Sequence, residues 1–515
     1  MKFSKITNFI SKNPTSDVCI LSSSALRKKC NKDQINVLVE VAKEKIGVFL
    51  KNRQYAEAEV LATQVLKIKD DFKVRQLLVI IKMYLDKMPE AREICLLNIK
   101  SKGLAEDYNN LSLIERSSRN FDIAYKAGKK SCRLKPDSAS IVANFAITAM
   151  VCNKSKEAFD AIEKAISLDN SCPMFHANKA SMLCDCKRYE EAESVFEECI
   201  SLNPMEHQIF MDYFYCLANQ KKYKQAWPYY ESRYSKIKEL QQSINRLNRP
   251  VMFFKKSFYE EKICVIPEQG IGDEMMFLRF LPEFQKIAPN SYFLCKSNMY
   301  EFAKHLPIKI STTFDEQSTH LMGIMSLPFH LGISNIPNPV TPVYHSPCKS
   351  EKLRVGICWA GSPFHPMDWA RSTYLRWWEP FLIDNSIEIY SFMKDKRERV
   401  YANTKEKIDY CEGFNDYSMI DLSENMNTVY STALELNKID VFVTVDSFMA
   451  HMAATCNVPT HVLVAEKHDW RWGPTQIKSD WYPSITIHRL DKKDNFQNLI
   501  KTVHKIVKDG KNPVL

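Results

Sequence analysis

Sixteen cysteines in 515 residues include no C-x-x-C pair, and the closest two, Cys184 and Cys186, fall in a helical pattern. This excludes the usual zinc and redox motifs, and the apolar neighbours of most cysteines suit buried free thiols in a reducing compartment. No stretch approaches the roughly 18 consecutive apolar residues of a membrane span. Lys, Asn and Ser interrupt residues 1–14, where a secretion signal would need a continuous apolar core. A cytoplasmic protein without a membrane partner is therefore expected. A basic stripe is missing as well. The formal charge is +10, yet acids are interspersed throughout and the densest cluster, Lys394 to Arg399, holds two of them. That cluster reads as a solvated face, and nucleic acid is not an expected partner.

What is present is the composition of an ordinary globular chain, 45% hydrophobic and 26% charged, long enough for about three domains. Residues 1–34 show no period and read as a leader or irregular cap. From there the chain repeats itself. Ala124, Ala158, Ala192 and Ala226 fall 34 residues apart, Ala58 and Ala91 precede them at intervals of 33, and Leu134, Leu168 and Leu202 keep the same step. Two units close in Leu-Lys-Pro (Leu134–Pro136) and Leu-Asn-Pro (Leu202–Pro204). A small residue where two helices cross, with proline ending the second, resembles the tetratricopeptide repeat (TPR), and residues 35–235 hold about five units and a partial sixth. Such hairpins bury their apolar faces only by stacking, which leaves a groove suited to peptides. The array is either a docking surface for a protein or a spacer. The last unit departs into Trp227-Pro228-Tyr229-Tyr230, whose aromatic density suggests a packed junction, and residues 236–260 read as a linker.

Beyond Ile266 short apolar runs alternate with helical stretches: Tyr292–Cys295, Ile308–Ser311, Leu353–Trp359, Ile387–Phe392, Val441–Val445 and His461–Ala465. That alternation predicts parallel α/β sheets. The proline-rich segment Ile336–Pro347 divides them into two lobes, 261–345 and 346–515, with ligands expected at the strands' carboxyl ends.

Three clusters lie at such ends. The first is Gly270-Ile271-Gly272-Asp273, where glycines permit a tight turn and close approach of a ligand. The second is Trp359-Ala360-Gly361-Ser362-Pro363 leading to Asp368-Trp369-Ala370-Arg371-Ser372, a loop that offers a guanidinium for bidentate phosphate binding. The third is Asp446-Ser447-Phe448-Met449-Ala450-His451, a strand running into a helix. Ser447 suits the N-cap there, and the first-turn amides make an anion site. Each has a plain structural alternative: a loop, a surface arginine, a well-capped helix with His451 in its packing face.

Taken in order, the repeat array, E-Q-G-x-G-D-E (Glu268–Glu274), V-G-x-C-W-A-G-S (Val355–Ser362), R-S, V-x-V-D-S-x-x-A-H-x-A-A (Val443–Ala454) and D-W-R-W (Asp469–Trp472) resemble the TPR glycosyltransferases of bacteria and their phages. Their catalytic half is similar to the heptosyltransferases and, more distantly, the O-GlcNAc transferases. The resemblance covers about residues 40–490.

It implies a GT-B fold, an α-solenoid followed by two Rossmann-like lobes with the acceptor on the 261–345 side and the nucleotide-sugar on the 346–515 side. It also implies inverting transfer from a nucleotide-sugar without a metal or other cofactor. Asp273 takes the position of the general base. Gly270, Gly272, Gly361, Arg371, Asp446, Ser447, Phe448, Met449 and His451 fall on the donor and phosphate side, with Asp446 as a sugar-hydroxyl ligand. Trp470, Arg471 and Trp472 either contact the nucleobase or pack the lobe. The bulky Phe364, His365, Met367 and Trp369, and Met322-Gly323-Ile324-Met325, depart from the pattern and leave the donor open. The acceptor is expected to be a protein held in the TPR groove. The alternatives are a glycan, a lipid-linked sugar, a hydroxylated DNA base, or a scaffold without catalysis.

Overall fold

The computed structural model describes residues 31–510 apart from 203–206, 236–237, 253–256, 347–349, 364, 366–367, 397–398, 401–406, 467 and 492–493. Phe364, Met367 and Pro204, singled out above, lie outside the described residues, as do residues 1–30 of the leader. The leader ends earlier than expected, because Asn31 caps a helix that starts at Lys32 and closes a capping box with Gln34.

The chain divides into two compact units, one running through Cys186 and the other from Lys187 onward apart from residues 401–406. The first unit is a TPR-like helical solenoid: α1 (Lys32–Lys51), α2 (Tyr55–Ile68), α3 (Phe72–Tyr84), α4 (Met88–Ser101), α5 (Ala105–Ser117), α6 (Phe121–Leu134), α7 (Ala139–Val151), α8 (Ser155–Leu168) and α9 (Pro173–Asp185). Ala58, Ala91, Ala124 and Ala158 are all 0% exposed, small residues sealed where paired helices pack. The turn between the helices of a pair repeats as well. Arg53, Asp86, Arg119 and Asn153 all take positive φ, between 57° and 64°. A left-handed residue other than glycine costs about 1 kcal/mol. Each such turn also carries an amide bond back to the helix it ends, as from Gln54 N to Phe49 O (2.8 Å), Lys87 N to Lys82 O (2.8 Å) and Asn120 N to Glu115 O (2.8 Å).

The second unit opens with α10 (Tyr189–Leu202), α11 (His207–Asn219) and α12 (Tyr223–Tyr230), which continue the repeat spacing. The compact division thus falls inside the array and not in the 236–260 stretch. The cause is aromatic packing: Trp227 meets Phe277, Trp470 and Trp481 edge-on at 6.1, 6.0 and 6.4 Å. Residues 236–260 are also more than a linker. They contain α13 (Lys238–Leu247), and Leu321 N donates to Pro250 O while Met252 N donates to Leu321 O, both at 2.9 Å.

Two parallel sheets follow. The first holds β1 (Ile263–Ile266), β2 (Tyr292–Leu294), β3 (Ile310–Ser311) and β4 (His320–Gly323) in the order β3-β2-β1-β4. The second holds β5 (Leu353–Cys358), β6 (Ile387–Ser391), β7 (Ile420–Asp421), β8 (Val441–Val445), β9 (Thr460–Val464) and β10 (Ile485–Arg489) in the order β10-β9-β8-β5-β6-β7. β1, β8 and β9 are buried at every position, as strands covered on both faces must be, hence their largely apolar sequences, broken only by Thr444 in β8 and by Thr460 and His461 in β9. β4, β7 and β10 are additions to the expected strands. Met322 and Gly323, read above as a departure, form the carboxyl end of β4 beside β1. Among the described residues no helix is long and apolar enough to cross a membrane.

Candidate functional site

The loops leaving β1, β5, β6, β8 and β9 line one cleft of about 850 Å³. Gly270, Gly272, Asp273, Gly361, Arg371, Asp446, Ser447, Phe448, Met449, His451 and Arg471 all reach it. Trp470 lines an adjoining cavity of about 350 Å³, together with Tyr215, Asn219 and His468, and Arg371, Asp446 and Asp469 are shared by both cavities.

Asp273 lies in the first turn of α14 (Ile271–Phe277). Its Oδ2 accepts from Gly270 N at 3.2 Å, and its Oδ1 sits 2.6 Å from Arg471 Nη2. Burial pushes the Asp273 carboxyl upward, Asp469 adds to this, and the Arg471 guanidinium opposes it. Arg471 lies in the short turn Trp470–Trp472 that Asp469 caps, accepting from Arg471 N at 3.0 Å and from Nη1 at 2.8 Å. Burial works against ionising Asp469, yet Arg471 and its N–H groups outweigh burial and hold that carboxyl below the usual range. Arg471 is therefore engaged by two carboxylates, with its guanidinium 4.8 Å over Trp470.

The glycines act differently from the expectation of a glycine turn. Neither Gly270 nor Gly272 has positive φ; that conformation falls on Gln269 (φ 59°). Gly272 allows a close contact instead. A Cβ there would lie 3.2 Å from His451 Cδ2 and 3.5 Å from Phe448 Cα, so glycine is what lets α14 approach α15 (Phe448–Thr455). Gly361 serves a cation in the same way. Its missing Cβ would be 2.8–2.9 Å from the guanidinium of Arg371, which lies flat over the backbone. Ser372 Oγ accepts from Gly361 N at 2.9 Å and donates to Asp368 Oδ1 at 2.6 Å, fixing this loop. Arg371 Nε is buried with no hydrogen-bond partner, 3.8 Å from Asp368 Oδ1.

Ser447 occupies the N-cap position of α15 with extended backbone (φ −155°, ψ 172°), but its hydroxyl makes no cap bond and lies 3.3 Å from Thr444 Oγ1. Orphan amides at a helix start attract an anion. Asp446, just before it, is pushed upward by burial against the pull of Arg371.

His451 does not supply positive charge here. Its ring stacks on Trp472 at 5.3 Å and its Nδ1 is 3.3 Å from Tyr482 Oη. Burial, reinforced by Arg471, pushes its pKa down to about 3, so it is neutral at physiological pH. Trp472 is 1% exposed and has no face left for a base, and Trp470 packs edge-on against Phe214 (5.1 Å) and Trp481 (5.6 Å). Trp472 is sealed in this packing, whereas Trp470 both packs and lines the adjoining cavity.

Lys394 and Asp395 line the cleft although their cluster reads as a solvated face in the sequence. Lys394 Nζ donates to Ser423 O at 2.6 Å and to Asn427 Oδ1 at 3.0 Å. Their place just after β6 was the available signal. His365, Gln269 and Asp469 also line the cleft, and sequence reasoning left them without a role. Glu274, beside Asp273, is fully buried, ion-paired through Oε1 with Lys296, and leaves Oε2 without a partner. Among the described residues no three His, Cys, Asp or Glu side chains gather where they could hold a metal.

No family model and no curated protein matches this chain. Among solved structures, a thermophilic TPR protein of Thermus thermophilus is similar at 18% identity and a TM-score of 0.31, over 34% of this chain and 96% of that one. PilF of Pseudomonas aeruginosa is similar at 15% identity and 0.33, over 41% and 99%. YrrB, a TPR protein with an unusual peptide-binding site, is similar at 9% identity and 0.27, over 33% and 88%. At scores this low the TPR-like character of the solenoid rests on its own helices: the 33- or 34-residue spacing, the buried alanines at the crossings and the repeated left-handed turns.

Proposed function

We propose that the second unit is a glycosyltransferase of GT-B type, binding a nucleotide-sugar in the cleft and passing the sugar to an acceptor hydroxyl, on a protein held by the TPR array. The observation that carries this reading is the convergence, in one cleft, of a half-buried carboxylate (Asp273) with a cation lying over Gly361 (Arg371) and the open first turn of α15.

In the reaction the acceptor O–H proton passes to Asp273 as its oxygen attacks the anomeric carbon. The bond from that carbon to the diphosphate breaks, and its electron pair leaves on the phosphate oxygen. Negative charge then grows where Arg371 and the amides of Phe448 and Met449 can meet it, and preorganised donors of this kind contribute the larger part of such catalysis. A base works best when its pKa approaches the working pH, and burial moves Asp273 in that direction. Arg471 opposes the push of burial on this carboxyl and holds it in place through the contact at 2.6 Å.

The test is release of nucleoside diphosphate when the protein meets a panel of UDP-, GDP-, ADP- and dTDP-sugars with a cell-lysate acceptor mixture. Donor-specific release that Asp273→Asn abolishes supports the reading. Donor binding without release by any pair would favour a binding scaffold that keeps the same cleft.

A further inference from the structure

The loop that carries Asp273 is held from outside the sheet domains. Glu268, the second residue after β1, is 4% exposed and forms a bidentate pair with Arg233, Nε to Oε2 at 2.8 Å and Nη2 to Oε1 at 2.7 Å. Arg233 is 0% exposed and belongs to the turn Glu231–Ser235 that continues α12. It also donates to Glu231 Oε1 (2.7 Å) and Ser326 Oγ (2.8 Å), and its guanidinium lies between the rings of Tyr230 (4.7 Å) and Tyr234 (4.8 Å). Glu268 Oε1 further accepts from Met325 N at 2.8 Å. Gly323 is required for this: a Cβ there would fall 2.3 Å from Glu268 Oε1.

The next residue is tied to the same helix end. Gln269 Nε2 donates to Tyr230 Oη at 2.9 Å, and Gln269 is the residue held at φ 59°. A non-glycine residue in that region costs on the order of 1–3 kcal/mol and persists only where its surroundings over-determine it. Gly270 and Asp273 follow directly. A buried ion pair is a poor way to gain stability, since well-packed apolar residues of the same volume do as well or better. What it supplies is a fixed geometry, here at the start of the loop that aims Asp273.

We infer that Tyr230 and Arg233, on the closing turn of the repeat array, are positioning residues for Asp273, so that the end of the array is part of the site's working geometry. They touch neither cleft nor substrate and act through Gln269 and Glu268. The inference rests on the transferase reading for its kinetic arm only.

The test uses full-length Tyr230→Phe, which keeps the ring against Phe214 (4.3 Å) and removes the acceptor of Gln269, and Gln269→Gly, which relaxes the left-handed backbone. Arg233→Lys keeps the charge but not the bidentate geometry, and is expected to speed exchange at the Gly270–Asp273 amides. Hydrogen exchange at the Gly270–Asp273 amides is the first readout. Faster exchange there in Tyr230→Phe, with a melting temperature within about 2 °C of the parent, supports the inference, and unchanged exchange in both Tyr230→Phe and Gln269→Gly overturns it. With a donor from the panel above that turns over, kcat falls about 10- to 100-fold at unchanged donor affinity, while unchanged kcat overturns the inference. A parent that releases no diphosphate from any donor defeats the transferase reading, and the exchange result then decides the positioning role alone.

Discussion

Asp273 Oδ1 and Arg471 Nη2 stand 2.6 Å apart, joining the first turn after β1 to the short turn that follows β9. The contact ties the half-buried Asp273 carboxylate, which lines the same cleft as Asp446 and Asp469, to a guanidinium. Asp273→Asn is expected to lower turnover about 10²- to 10⁴-fold, the range of a general base, while donor binding by calorimetry stays near the parent value. Substantial remaining turnover would remove Asp273 from the chemistry.

Arg471 opposes the upward shift of Asp273, so its loss moves that carboxyl further up. A base acts only when deprotonated, and activity therefore falls as pH drops through its pKa. In Arg471→Met the acid limb of the kcat/KM profile is expected at higher pH than in the parent, with Arg471→Lys in between. An acid limb that does not move would mean that Asp273 does not set it.

Arg371 needs the empty space over Gly361. Gly361→Ala places a methyl 2.8–2.9 Å from its guanidinium, the movable end of a flexible side chain, so the fold should survive while the cation is displaced. A charge-assisted contact is worth about 1.5–3 kcal/mol, and nucleoside diphosphate binding should weaken about 10- to 100-fold. Equal affinity in the two proteins would place the phosphate elsewhere.

Three histidines, one buried and two half-buried, are held neutral: His451 and His488 are pushed down to about 3, and His330 to about 4, with desolvation as the leading cause in each. An unfolded histidine titrates near pH 6.5. Between about pH 6.5 and pH 4 the unfolded chain binds protons that the folded one refuses, so stability rises with pH across that window and is lost on acidification. The melting temperature of the second unit should fall steadily from pH 7 to pH 4.5. A flat profile would show that these rings are accessible to protons in the folded state.

In the solenoid, Ala158 is 0% exposed where α7 and α8 pack. Ala158→Leu should destabilise the first unit by about 1–3 kcal/mol through overpacking, as read by denaturant unfolding. An unchanged unfolding midpoint would mean that the crossing has room.

The repeat was legible because a helix crossing tolerates only small residues, and Ala58, Ala91, Ala124 and Ala158 mark each one. Most strands were legible because both their faces are covered. β4 was not, since His320 and Gly323 break its apolar run and its place is set by pairing with β1. The cleft residues were found by their position at strand ends, but their reasons were not. Gly272 answers to His451, Gly361 to Arg371 and Asp273 to Arg471, each pair brought together only by the fold. The strained Gln269 gave no signal either, because nothing in its neighbours demands positive φ without Tyr230 to hold it.

The most direct measurement is the thermal shift of the parent and of Arg371→Ala across a panel of nucleoside diphosphates and their sugars. A ligand that binds the folded state at about 100 times its Kd adds about 2.7 kcal/mol of stability. At least one nucleotide family should raise the parent's melting temperature, and Arg371→Ala should lose that rise. A parent unmoved by every nucleotide, or a variant shifted as far as the parent, would contradict the account.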